Sequence, residues 1–134
     1  MSNPASLPPT LRAAAVADAE APDGSEVRLL CSLARGGMAT FTLPANAVSR
    51  PVAHRSVEEI WYVLSGNGRM WRHSGEQEDI AELGPGVSVA IPTGTRFQFR
   101  ADSKGPLVVL GVTMPPWPGA NEALPVAGKW RPTL

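Results

Sequence analysis

The chain has 134 residues, the size of one ordinary domain and enough to enclose a single core. Twelve basic and twelve acidic side chains cancel, and ten of the cations are scattered arginines, so nothing electrostatic points to nucleic acid or an anionic membrane. One cysteine excludes an internal disulfide and a Cys-x-x-Cys zinc site, and no apolar run reaches the ~18–20 residues that span a bilayer.

Residues 1–24, rich in Ala, Pro, Ser and Asp, read as a partly mobile N-terminal arm with one short helix expected at LRAAAVADAE. The arm has no basic start followed by an apolar stretch, so the expected location is the cytoplasm, in soluble form. Residues 25–115 read as short strands with turn punctuation. EVRLLCSL (26–33) and MATFTL (38–43) flank ARGG; Cys31, between apolar neighbours, is expected to be a buried, inert thiol. EEIWYVL (58–64) and RMWRH (69–73) flank SGNG. VSVAI (87–91) and TRFQFR (95–100) flank PTG, and PLVVLGVTM (106–114) closes the set. No helix of normal length is signalled here. Seven or more short strands at this spacing predict an all-β fold, a closed or sandwiched antiparallel sheet. Residues 116–134 form a tail loaded with proline and glycine, whose Trp117 and Trp130 predict that it wraps over the domain or a second subunit.

Alternation in EEIWYVL puts Glu59, Trp61 and Val63 on one face and Glu58, Ile60 and Tyr62 on the other. Both faces are apolar, so something must cover the outside. If Gly66–Asn67 is a two-residue hairpin turn, Val63 pairs with Met70, Trp61 with Arg72 and Ile60 with His73. Met70 and Arg72 then share the face of Glu59 and His73 points outward; one residue of slip reverses this. In the first register Arg72 pairs with Glu59 or clamps an anionic ligand. In TRFQFR, Thr95, Phe97 and Phe99 share a face opposite Arg96, Gln98 and Arg100.

HRSVEEIWYVLSGNG and the later GPGVSVAIPTGTRFQFR together resemble the two motifs of the cupin superfamily, over about residues 26–114. Glu59 with YVLSG falls in the first motif; Gly86, Pro92 and Gly94 fall in the second. The resemblance implies a jelly-roll β-barrel, often dimeric, with its site inside the barrel mouth. Metal-binding relatives hold an iron, manganese, zinc or similar ion with three histidines and a glutamate. This chain has only His54 and His73, and Phe97 stands where the second motif has its histidine. The metal motif is therefore degenerate, since an ion needs three or four aimed donors.

The leading expectation is a barrel that binds a small molecule, sugar-like or anionic, through His54, Glu59, Trp61, Arg72, Phe97 and Phe99, acting as a binding module with no cofactor. The competing expectation is an enzyme. One version is a metal-free sugar isomerase or epimerase with His54 as base, Glu59 as its acid or orienting partner and Arg72 as clamp. The other is an isomerase or dioxygenase whose divalent transition metal is held by His54, Glu59 and His73. A homodimer is the expected assembly, with no nucleic-acid or membrane partner.

Overall fold

The computed structural model describes residues 6–134. Eleven strands follow in chain order: β1 (Ala19–Glu20), β2 (Glu26–Leu33), β3 (Gly36–Leu43), β4 (Val52–His54), β5 (Glu58–Ser65), β6 (Gly68–Ser74), β7 (Gln77–Leu83), β8 (Ser88–Ile91), β9 (Arg96–Ala101), β10 (Leu107–Met114) and β11 (Ala123–Pro125). They form two antiparallel sheets, one of six strands in the order β1-β2-β3-β10-β5-β8 and one of five in the order β11-β4-β9-β6-β7. The architecture is the all-β jelly roll that the strand spacing and the two motifs predict. There is no helix among the described residues, so none crosses a membrane.

The core lies between the sheets and follows from the alternation. Trp61 and Val63 of β5, Phe97 and Phe99 of β9, Val109 of β10 and Met70 of β6 all turn inward and are buried. Cross-strand neighbours on one face meet as Trp61 opposite Gly111 and Met70 opposite Phe99. Gly111 is glycine for space, since a Cβ there would run into the Phe41 ring.

The SGNG segment corrects the hairpin expectation. β5 and β6 do not pair; β5 lies between β10 and β8, while β6 lies between β7 and β9 in the other sheet. SGNG is a corner where the chain changes sheets. Gly66 sits at φ 82°, and a Cβ there would collide with the Pro106 carbonyl oxygen. Gly68 is as crowded, with the Arg100 carbonyl oxygen in the place a Cβ would take. The glycines thus serve a close backbone crossing and not a two-residue turn. Gly86 (φ 89°) and Gly94 (φ 80°) do hold the left-handed turns their motif requires.

Two further expectations change. The arm has no helix at LRAAAVADAE: residues 11–18 run irregularly beside β2, where Arg28 Nε donates to the Ala14 carbonyl at 2.9 Å and Leu29 N donates to Asp18 Oδ2 at 2.8 Å. An alanine run with no apolar stripe gives a helix nothing to bury, so tertiary contacts decide. Cys31 is exposed; it lies where the pairing of β2 with β3 shifts register, between Leu29 and Ser32.

The tail runs back along the five-stranded sheet. Its β11 pairs with β4, and Thr133 N donates to the Val48 carbonyl at 3.0 Å. Gln98, on the outer face of β9, is fully buried beneath it. Gln98 Nε2 donates to the Ser49 and Trp130 carbonyls, both at 2.8 Å, and its Oε1 accepts from Lys129 N and Trp130 N. Every polar group of one amide is used to fasten the tail.

Candidate functional site

At one end the barrel is not filled. A cavity of about 310 Å³ opens between the sheets, at the small end of the ~300–1,000 Å³ usual for small-molecule sites. Phe41, Trp61, Phe97 and Trp117 form its aromatic walls, and Val27, Leu29, Met38 and Val52 add aliphatic surface. The rings brace one another: Trp61 lies 5.5 Å from Phe41 and edge-on to Phe97 at 5.9 Å.

Polar groups are few. Glu59 projects from β5 into the cavity and is 4% exposed. Its Oε2 accepts from Trp61 Nε1, two residues along the same strand face. Burial pushes its carboxyl up to about 7, against a lowering by the Trp61 hydrogen bond, and the nearby Asp23 charge pushes it further up. His54 ends β4, is 5% exposed, and is held edge-on between Phe97 at 5.2 Å and Trp117 at 5.1 Å. Burial lowers the His54 pKa, with Glu122 acting in the opposite sense, so the ring is neutral at physiological pH. Its Nδ1 lies 3.7 Å from Glu59 Oε1, beyond hydrogen-bond range, and this buried nitrogen has no hydrogen-bond partner.

The two motifs and the tail together position this pair. In the second motif the Pro92–Thr95 turn brings Gly94 N to the His54 carbonyl at 3.0 Å. Glu122 of the tail caps the connection from His54 to Glu59, accepting from Ser56 N and Val57 N, both at 2.6 Å, and from Ser56 Oγ. Burial pushes Glu122 upward, but these donors prevail and hold it below the usual carboxylate value.

Asp23 also lines the cavity, buried, accepting from Ser25 N and Ser25 Oγ at 2.9 and 2.7 Å. Burial raises its pKa, although those hydrogen bonds and Arg50 oppose the rise. Glu20, Ser32 and Thr113 complete the polar lining, and no lysine or arginine belongs to it.

Of the residues expected at the site, His54, Glu59, Trp61 and Phe97 meet around the cavity. Phe99 does not line it; the ring packs 4.8 Å from Trp61 on the core side, fully buried. Arg72 is not near Glu59. Its Nη2 and Nε bind Asp79 Oδ2 and Oδ1 at 2.7 and 3.1 Å, and its Nη1 donates to the Ala90 carbonyl. The clamp role fails because β6 pairs with β7, which supplies Asp79, and not with β5. His73 does turn away from the cavity, by the alternation along β6 that turns Met70 inward: it stacks on Trp71 and lies across from Glu78 on the outer face. Asp23, Phe41 and Thr113 were missed. Phe41 was legible in the alternation of MATFTL; Asp23 sat in a segment with no periodic signal.

The metal set His54, Glu59 and His73 therefore does not converge. Among the described residues no three His, Cys, Asp or Glu side chains are placed to share an ion. At the position of the missing imidazole, Phe97 offers an aromatic ring with no donor atom, 5.2 Å from the His54 ring. This donor set does not fit a transition metal, which requires at least three aimed ligands.

Two packed antiparallel sheets with an open, acid-bearing mouth define a jelly-roll barrel. The pattern of the cupin domain matches residues 39–113, more than half of the chain, and the protein belongs to that family. No curated protein is similar to it in sequence at a significant level. Among solved structures it is similar to KdgF from Halomonas sp. (TM-score 0.60, 18% identity, 70% of this chain and 82% of that one). TT1209 from Thermus thermophilus is comparable (TM-score 0.58, 23% identity, 72% and 88%). Oxalate decarboxylase from Bacillus subtilis superposes with TM-score 0.67 at 17% identity over 78% of this chain but only 28% of its own. Likeness at these identities speaks for the fold.

Proposed function

We propose that this protein is a binding cupin, whose barrel mouth takes up a small, largely apolar molecule without a metal. The observation that carries this reading is the aromatic cavity of about 310 Å³ with a neutral imidazole and an unmatched buried carboxyl at its base. Burying Glu59 without a cation costs free energy that a purely structural barrel has no reason to bear. Of the six polar side chains in the lining, Asp23 and Glu20 are already engaged by Ser25 and Arg50, and Ser32, His54, Glu59 and Thr113 are too few, against four aromatic walls, to satisfy a sugar with hydroxyls on every side. An anionic ligand loses its support with Arg72, since the lining carries acids and no cation.

The enzymatic alternative, with His54 as base and Glu59 as acid, has the right protonation states. It lacks a cation or cluster of donors to stabilise the anion that proton abstraction creates. Binding is the better supported use of the pair.

Amide and indole NMR on the whole chain with a set of small aromatic and aliphatic fragments tests the proposal. Binders are expected to move the indole resonances of Trp61 and Trp117 and the amides of Gly37 and Thr113. Fragments that perturb only other surfaces would count against it. So would a stoichiometric, tightly held transition metal in protein purified without chelators.

The second copy implied by the family resemblance is proposed to sit on the outer face of the six-stranded sheet. Ile60, Tyr62 and Leu64 of β5 are exposed there, with Tyr62 beside Leu110 and Ile60 beside Val112 on β10. A two-fold pair needs one self-complementary patch, and this uncharged stripe supplies it.

A further inference from the structure

The cavity carries three acidic side chains and no basic one, and the charges are not equally answered. Glu20 is met by Arg50 Nη2 at 3.7 Å, and Arg50 also donates to the Leu134 and Pro22 carbonyls, which holds it outside the lining. Asp23 has both Ser25 donors and the field of Arg50. Glu59 has the Trp61 indole N–H alone. Beside it stands the His54 Nδ1, more than nine-tenths buried, with no partner. In the Nε2–H tautomer that nitrogen is an acceptor, so Nδ1 and Glu59 Oε1 form two acceptors 3.7 Å apart and both facing one space. A donor, and a positive charge, is what this pair lacks. The walls reinforce the sign: Phe41, Trp61, Phe97 and Trp117 surround the space with aromatic rings, whose π-faces attract a cation.

Building on the ligand-binding reading above, we infer that the molecule taken up is a compact organic cation, an alkyl- or arylammonium whose nitrogen donates to Glu59 Oε1 and His54 Nδ1 while its apolar body fills the aromatic mouth. The ammonium supplies the missing counter-charge, and a neutral imidazole beside a carboxylate is the acceptor pair that a protonated amine and no anion can satisfy. Charge at Glu59 is then required for tight binding. Uptake of the cation should release a proton at neutral pH, and affinity should climb as Glu59 ionises. The groups that also face the site do not reverse this. Asp23 ionises with the same sign, and Glu122 favours a positive charge on His54, which on acidification would repel the cation and so acts in the same direction.

Calorimetry of the full chain with benzylamine, benzyl alcohol and benzoate, which share one ring and one carbon, tests the charge preference. At about pH 8 the amine is expected to bind at least about tenfold more tightly than the alcohol, with that ratio falling several-fold at about pH 6, and benzoate is expected to be the weakest. In Glu59→Gln, whose amide oxygen can still accept from Trp61, the ratio should drop towards one. Alcohol or benzoate binding as well as the amine would overturn the cation inference and leave the binding barrel standing. A ratio unchanged in Glu59→Gln, or independent of pH in the unaltered chain, would also overturn it, and the pH series does so even if the variant fails to fold. If none of the three binds while other apolar fragments do, the inference falls alone; if nothing enters the cavity, both readings fall.

Discussion

The two ends of this barrel are built from the same strands and are finished differently. At the closed end Leu43, Val63, Met70, Phe99, Leu107 and Val109 are fully buried and packed against one another. At the open end, a few residues along the same β5 and β9, Trp61 and Phe97 leave a cavity, and a carboxyl and an imidazole are buried beside it. One end follows the rule that interiors fill to crystal-like density; the other violates it and also violates the rule that buried polar atoms are partnered. Stability concentrates where the packing is complete, and the departures concentrate where a ligand has room.

Substitutions at the two ends should therefore separate fold from binding. The largest effect is expected for Phe99→Ala at the closed end, a loss of about 3–5 kcal/mol in denaturant unfolding from the emptied ring volume. A loss below about 1 kcal/mol would mean that this end is not the packed half.

Glu59→Gln at the open end should act in the opposite direction. The native carboxyl is raised from 4.5 to about 7, so between those values the folded chain keeps a proton that the unfolded chain has released. Stability accordingly falls as pH rises through that window, with Asp23 adding the same sign over its own range, while His54, lowered by burial, costs stability below about 6.5. Glutamine removes the Glu59 share, so the variant should be more stable than the parent by on the order of 2–3 kcal/mol at about pH 8 and nearly equal to it at about pH 5. Parallel urea titrations at the two pH values read the difference directly. A variant less stable than the parent at the higher pH would show that the buried charge is answered within the fold. Trp117→Ala, at the rim and 38% exposed, should cost only about 1 kcal/mol yet weaken binding of any ligand held in the mouth.

The sequence showed one kind of information well. Period-two alternation identified the inward set of β5 and β9, so Glu59, Trp61 and Phe97 were legible at once, and β2 was read with its observed limits. Pairing was not legible, because β10 lies between β3 and β5 through contacts distant in sequence, and no local pattern encodes them. Arg72 was misplaced for that reason alone. β7 escaped because QEDIAEL is an edge strand that buries only Leu83, leaving no apolar alternation. Gln98 read correctly as outward, but its burial depended on a tail that returns more than thirty residues later. Asp23 gave no signal, since its burial comes from the barrel mouth closing over the arm.

The smallest expected effect on stability falls on the outside of the six-stranded sheet, and it sharpens the contrast of finished and unfinished surfaces once more. The outer face of the five-stranded sheet is covered by the chain's own tail, fastened through Gln98. The outer face of the six-stranded sheet has no such cover among the described residues, and Tyr62 of β5, one strand in from the β8 edge, stands 48% exposed. Tyr62→Lys should leave the unfolding free energy of the monomer within about 0.5 kcal/mol, because the ring buries little within one chain. In a pair of copies related by a two-fold axis, the same change places two ammonium groups in one apolar contact, where each is desolvated and each repels the other. Light scattering coupled to gel filtration should thus report a dimer for the parent and a monomer for Tyr62→Lys. A parent that elutes as a monomer at all concentrations would remove the second copy from this face, and an unchanged dimer in the variant would move it to another.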